Sequence, residues 1–212
     1  NTHEAGIEQV SNGQTIQIKT DVLDLQVSLA EGDIISAKLL NYAQSQTHPD
    51  QPFSLLNNKN NARYVANSSL LVLNQGVPEP TQPGFKAEQS QYTLAPHEAQ
   101  LSITLTGQTE SGLAVKKILT LKRGEYLINV QYQLLNQADK PWKGYFNTQL
   151  LRDSPKEDKS GFSHIGSYTG ASYSNPGHHR YQKLTFKEMS KAPLDVDVNG
   201  GWVAMQQRYF LT

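Results

Sequence analysis

The sequence predicts an all-β protein: a large, twisted antiparallel β-sandwich with few short helices. Three observations carry that prediction. Apolar side chains recur with period two in most of the patterned segments. Turn-forming residues punctuate those segments at short intervals. No segment shows a sustained i, i+3, i+4, i+7 apolar stripe, so any helix is short.

The elements follow in chain order. Ile16 and Ile18 alternate with polar neighbours. Leu23, Leu25, Val27 and Leu29 continue the alternation on the opposite parity, and a bend or bulge near Thr20 and Asp21 would reconcile the two. Glu31-Gly32-Asp33 supplies a turn, after which Ile35, Ala37 and Leu39 resume the pattern as a hairpin with one buried face. Residues 52–58, PFSLLNN, fit a single helical turn. Residues 74–84, NQGVPEPTQPG, hold three prolines and two glycines. They are expected to form a loop rather than a central strand, with an interdomain linker as the rival reading.

The second strand set is stronger. Leu101, Ile103 and Leu105 alternate, and GQTESG turns the chain at 107–112. Val115, Leu119 and Leu121 follow, with Lys117 interrupting the apolar parity. KRGE at 122–125 turns the chain again before Tyr126, Ile128, Val130, Tyr132 and Leu134 alternate. Three strands joined by tight turns make an antiparallel meander. Residues 152–161, RDSPKEDKSG, read as a surface excursion. In LDVDV, Asp195 and Asp197 would share one strand face, with Val196 and Val198 inward.

Composition narrows the function classes. The chain has 212 residues, a formal net charge of +0 and no cysteine. Neutrality gives no support to a nucleic-acid partner. Without cysteine there are no disulfides, thiolate metal sites or Cys nucleophile. No stretch reaches the ~18 apolar residues of a membrane span. Residues 1–14 read as a polar linker remnant, and both ends as cuts in a longer chain.

Catalytic signals are weak. The histidines are His3, His48, His97, His164, His178 and His179, and none has the helical i, i+4 spacing of a zinc motif. His178 and His179 follow the turn sequence SNPG and read as an exposed loop pair. GFSHIG at 161–166 resembles a nucleophile elbow, but Ile165 stands where the second glycine belongs. Asp153, Glu157 and Asp158 lie among basic residues, as in a solvated loop. Tyr168 and Tyr173 sit beside small residues, where tyrosine rings stack on sugars or peptides or simply half-bury in a strand.

Several longer stretches carry a resemblance. LKRGEYLINVQYQLLN (121–136), EGDIISAKLLNY (31–42), QPFSLLN (51–57), YTGASYS (168–174), RYQKLTF (180–186) and GGWVAMQQRYF (200–210) occur in the order seen in one family. With the first of them taken over its full length, TLKRGEYLINVQYQLLNQADKPW (120–142), they resemble the large periplasmic domain of the YidC family of bacterial inner-membrane insertases. The resemblance implies a super-β-sandwich of galactose-mutarotase-like architecture over residues 15–212, with further strands beyond residue 212. It implies a non-catalytic interaction module on the periplasmic face of the Gram-negative inner membrane, with no cofactor. The implied partners are SecD/SecF and the Sec translocon, with nascent membrane proteins engaged by membrane helices outside this chain. The candidate partner face or cleft comprises Tyr168, Tyr173, Tyr181 and Trp202. The alternative is a carbohydrate-binding or mutarotase-like sugar enzyme. Its proton donors would have to come from His164, His178 or His179, with no Glu placed beside them.

Overall fold

A computed structural model describes residues 14–59, 62–154, 168–207 and 209–212. The chain divides into two compact units, Asn1–Leu151 and Arg152–Thr212. The all-β expectation holds: strands dominate, and a single short helix occurs among the described residues.

In the first unit, β1 (Thr15–Lys19) and β2 (Leu23–Ser28) pair antiparallel, with Ile16 opposite Val27 and Ile18 opposite Leu25. The parity change near Thr20 is therefore a tight turn between two strands, not a bulge within one. Thr20 donates its amide to the Leu23 carbonyl, and its hydroxyl accepts from the amides of Val22 and Leu23. Chain reversal and a bulge switch parity alike, so sequence periodicity alone does not separate them.

β2 also pairs with β3 (Ile34–Ser45), as the Glu31–Asp33 turn predicts. A register shift near Val27 puts Ile34, rather than Ile35, in the core with Ala37 and Leu39. β4 (His48–Leu56) then folds back on β3. Residues 52–56, expected as a helical turn, are strand. Backbone pairing with β3 overrides the weak local preference of this short apolar run.

β5 (Tyr64–Asn74) turns through Gln75 and Gly76, φ 49° and 87°, into β6 (Val77–Pro80). Two consecutive positive φ angles are the hairpin geometry that suits strand twist. The expected loop is thus partly a strand, which among the described residues pairs only with β5. Pro78 and Pro80 are tolerated because an edge strand need not donate from every amide. β7 (Gln91–Thr93) pairs parallel with β1, making this eight-stranded sheet mixed.

The predicted meander is present as β8 (Gln100–Gln108), β9 (Leu113–Lys122) and β10 (Ile128–Asn136), an antiparallel sheet with β9 central. Ile103, Leu105, Val115, Leu119 and Leu121 are buried on its inner face, as Ile16, Ile18, Leu25 and Val27 are on the larger sheet. Each such side chain contributes roughly 1.5–3 kcal/mol on burial. Lys117 shares the buried parity of β9, and its side chain lies inside rather than breaking the pattern. β11 (Gly144–Arg152) completes the larger sheet against β5.

In the second unit, β12 (Gly170–Asn175) runs between β13 (His179–Leu184) and a later strand. The turn at 176–178 predicted by SNPG is present, with His178 exposed in it and His179 opening β13. Helix α1 (Phe186–Lys191) starts at a capping box: Thr185 Oγ1 accepts from the Glu188 amide, and Glu188 Oε2 accepts from the Thr185 amide. Residues 193–201 form no strand, and Val196 and Val198 are exposed, contrary to the inward placement expected. Their alternation pairs with no strand among the described residues. The aromatic run becomes β14 (Trp202–Gln207) and β15 (Phe210–Leu211), with Ala204 and Met205 buried.

Candidate functional site

The first unit contains a cleft of about 320 Å³. The β2–β3 turn, β5, β10, β11 and the segment around Pro80–Phe85 line it. Beside it lies a buried polar cluster that the sequence reading missed. Lys117 Nζ stands 4.0 Å from Asp33 Oδ1, with side-chain exposures of 1% and 7%. The ammonium donates to the Ser68 carbonyl at 3.1 Å, and Tyr132 Oη donates to the same oxygen at 2.7 Å. The Ser68 amide donates to Asp33 Oδ1 at 3.2 Å. Lys117 also faces the rings of Phe85 and Tyr132, 6.0 and 5.4 Å from their centroids.

Gly32 makes room for this arrangement. Its φ is +72°, and a Cβ there would meet Lys117 Cδ at 2.9 Å and Phe85 at 3.0 Å. Burial dominates the electrostatics. It pushes the Asp33 carboxyl up to about 7, helped by a hydrogen bond with Glu31 and opposed by Lys117. It pulls Lys117 down to about 8 and pushes the Tyr132 phenol up to about 12. The cluster ties the β2–β3 turn, β5, β9 and β10 together across both sheets. Lys117 breaking the apolar parity of β9 was its one signal in the sequence.

The four aromatic residues singled out from sequence all lie in the second unit, on two faces. Tyr181 and Trp202 meet with ring centroids 6.0 Å apart and are 47% and 43% exposed. Tyr181 Oη donates to Gln206 Oε1 at 2.7 Å, bridging β13 and β14 across β12. Tyr173 pairs in register with Gln182, so it points to the opposite face, and its hydroxyl donates to Gln182 Oε1 at 3.2 Å. Tyr168 is a strut: its hydroxyl donates to the Ala171 carbonyl at 2.6 Å and accepts from the Leu184 amide at 3.0 Å. Burial, its largest influence, raises the Tyr168 phenol above its ordinary value. Lys183 Nζ sits 4.7 Å from the Tyr168 ring centroid. The sheet therefore presents Tyr181 and Trp202 together as its aromatic pair, while Tyr168 and Tyr173 hold the strands.

The histidines give a simpler picture. His48 is exposed, its Nδ1 near the hydroxyls of Ser45 and Thr47 at 3.1 and 3.0 Å. His3, His164 with GFSHIG, Glu157 and Asp158 lie outside the described residues.

Comparison with known proteins settles the family. The model of the YidC periplasmic domain matches residues 15–212. The chain belongs to the YidC periplasmic domain family. Its relatives carry the name membrane protein insertase YidC. That of Legionella pneumophila (strain Corby) is 54% identical over 206 residues, covering 97% of this chain and 37% of the relative. That of Coxiella burnetii (strain RSA 331 / Henzerling II) is 37% identical over 204 residues, covering 96% of the chain and 35% of the relative. That of Thioalkalivibrio sulfidiphilus (strain HL-EbGR7) is 36% identical over 203 residues, covering 93% and 35%. The chain thus spans little more than a third of the length of these curated relatives. No described helix is long and apolar enough to cross a membrane.

Proposed function

We propose that this chain is the periplasmic β domain, residues 15–212, of an inner-membrane insertase that assists insertion and folding of membrane proteins, with residues 1–14 as linker. In this reading the domain is a non-catalytic docking module, with SecD/SecF of the Sec translocon as its partner. Membership of the YidC periplasmic domain family supports the setting. The supporting structural observation is the exposed pair Tyr181–Trp202, with Tyr181 on β13, the edge strand of its sheet among the described residues. Aromatic side chains offer large contact area with little entropy to lose, and an edge strand offers unpaired backbone groups to another chain.

The test is retention of the periplasmic regions of SecD and SecF on immobilised chain. Wild-type chain is expected to retain them, and the double variant Tyr181→Ala/Trp202→Ala to lose at least ten-fold in affinity with its melting temperature unchanged. Absence of retention by the wild-type chain would remove SecD/SecF as the partner.

A further inference from the structure

The stretch 178–191, HHRYQKLTFKEMSK, holds Arg180, Lys183, Lys187 and Lys191 against a single acidic residue, Glu188, in a chain of zero net charge. Arg180 and Lys183 lie on β13, and both are exposed. Neither forms a salt bridge among the described residues. Glu188 is engaged elsewhere, accepting from the Thr185 amide and hydroxyl. Side chains alternate along a strand, so Lys183 shares a face with Tyr181, and Arg180 shares the opposite face with Gln182. Lys183 Nζ lies 4.7 Å from the Tyr168 ring centroid, which holds the ammonium beside the strand. Among the described residues β13 pairs with β12 alone. Alternate amides and carbonyls on its other side therefore have no strand partner.

Such an edge discriminates between strands. Lysine and arginine on an edge repel a like-charged strand, a second copy of β13 included. An acidic strand turns the same charges into attraction. The open backbone favours an extended polypeptide over a lipid surface, because a bilayer offers no ladder of amides and carbonyls to match it.

Resting on the docking reading of this same edge, we propose that β13 accepts an extended acidic segment of the partner as an added strand. The register sets the pattern that fits. An apolar side chain of the segment meets Tyr181 and Trp202, which touch each other across the sheet. Acidic side chains stand opposite Arg180 and Lys183, one on each face, so they are three residues apart with the apolar residue between them. Exposed ion pairs are individually weak. Charge therefore decides which strand is admitted, while the backbone ladder and the aromatic contact hold it.

The experiment is titration of the ¹⁵N-labelled chain, read on the backbone amide signals of residues 179–184. The probes are short threonine–valine peptides with Glu-Thr-Leu-Glu or Glu-Leu-Thr-Glu at the centre, which fit the antiparallel and parallel directions. Control peptides carry Gln or Lys in place of both Glu. A saturable shift at residues 179–184 is expected with one acidic peptide, with about five-fold weaker binding of its Gln counterpart and none of its Lys counterpart. Arg180→Gln/Lys183→Gln should bind the acidic and Gln peptides alike, and Arg180→Glu/Lys183→Glu should prefer the Lys peptide. Equal binding of acidic and Gln peptides to the wild-type chain, an order unchanged by charge reversal, or shifts at 179–184 with phosphatidylglycerol vesicles but with no peptide would each overturn the proposal. Retention of SecD/SecF without peptide binding would overturn the acidic strand and leave the docking reading. Peptide binding without SecD/SecF retention would support the acidic strand and remove those partners.

Discussion

The Lys117 ammonium and the Asp33 carboxylate lie 4.0 Å apart inside the first unit, on elements far separated in sequence. Burial acts on both, favouring neutral Asp33 and neutral Lys117, so desolvation outweighs their mutual attraction. The pair is best understood as a specific fastening of the two sheets through Ser68 and Tyr132.

Removing one partner should cost more than removing both. Lys117→Met strands the Asp33 carboxylate and is expected to lose about 3 kcal/mol in urea unfolding at pH 7.5. At pH 5 the loss should shrink, because Asp33 then carries a proton. Lys117→Met/Asp33→Asn should recover most of the stability. Equal losses for single and double variants would refute the pairing.

Stability should pass through a minimum in pH. The folded Asp33 pKa is raised from 3.8 to about 7, so its contribution is full below about 4 and is lost as pH climbs to 7. The folded Lys117 pKa is lowered from 10.5 to about 8, so its contribution is full above 10.5 and is lost as pH falls to 8. Unfolding free energy from urea titrations should therefore be lowest near pH 7–8. Asp33→Asn should flatten the acidic limb and, by removing the charge that holds the Lys117 pKa up, shift the basic limb to lower pH.

Gly32 is a backbone requirement rather than a filler. Gly32→Ala forces a side chain into positive φ and against the Lys117 stem, at an expected cost of about 2 kcal/mol or more. Gly112→Ala serves as comparison: φ is +86° there but nothing lies within 4 Å, so only the conformational part of the cost should appear in thermal melts.

The capping box of α1 should be a local device. Thr185→Ala removes the hydroxyl that accepts from the Glu188 amide and should cost about 1 kcal/mol. Amide exchange should accelerate at residues 186–192 and stay unchanged at Ile103 or Leu119 in the first unit.

The aromatic pair should be more solvent-reachable than the other tryptophan. Trp142 is half-buried, with its indole nitrogen shielded, whereas Trp202 is 43% exposed. In a Trp142→Phe background, iodide should quench fluorescence strongly, and in Trp202→Phe only weakly.

Much of the fold was legible because a half-buried strand must send one parity inward. Leu23–Val27 and Ile103–Leu121 state that parity openly, and the turns between them carry glycine. Three segments misled for physical reasons. Residues 52–56 are too short for periodicity to separate strand from helix, and pairing with β3 decides the matter. Pro78 and Pro80 exclude a central strand but not an edge one. Residues 194–198 alternate yet pair with no strand among the described residues, and Val196 and Val198 stay exposed. The aromatic residues were legible as a group, but their split between two faces depends on register within the β13–β12–β14 sheet.

What the sequence determined by itself is the set of alternating residues, hence the all-β class, and the ordered motifs that assign the family. Only the tertiary structure decided that Lys117 meets Asp33 and that Tyr181 meets Trp202. Periodicity fixes which way a side chain points from its own strand. What it meets depends on strand pairing and sheet packing between segments distant along the chain, and local pattern does not encode that pairing.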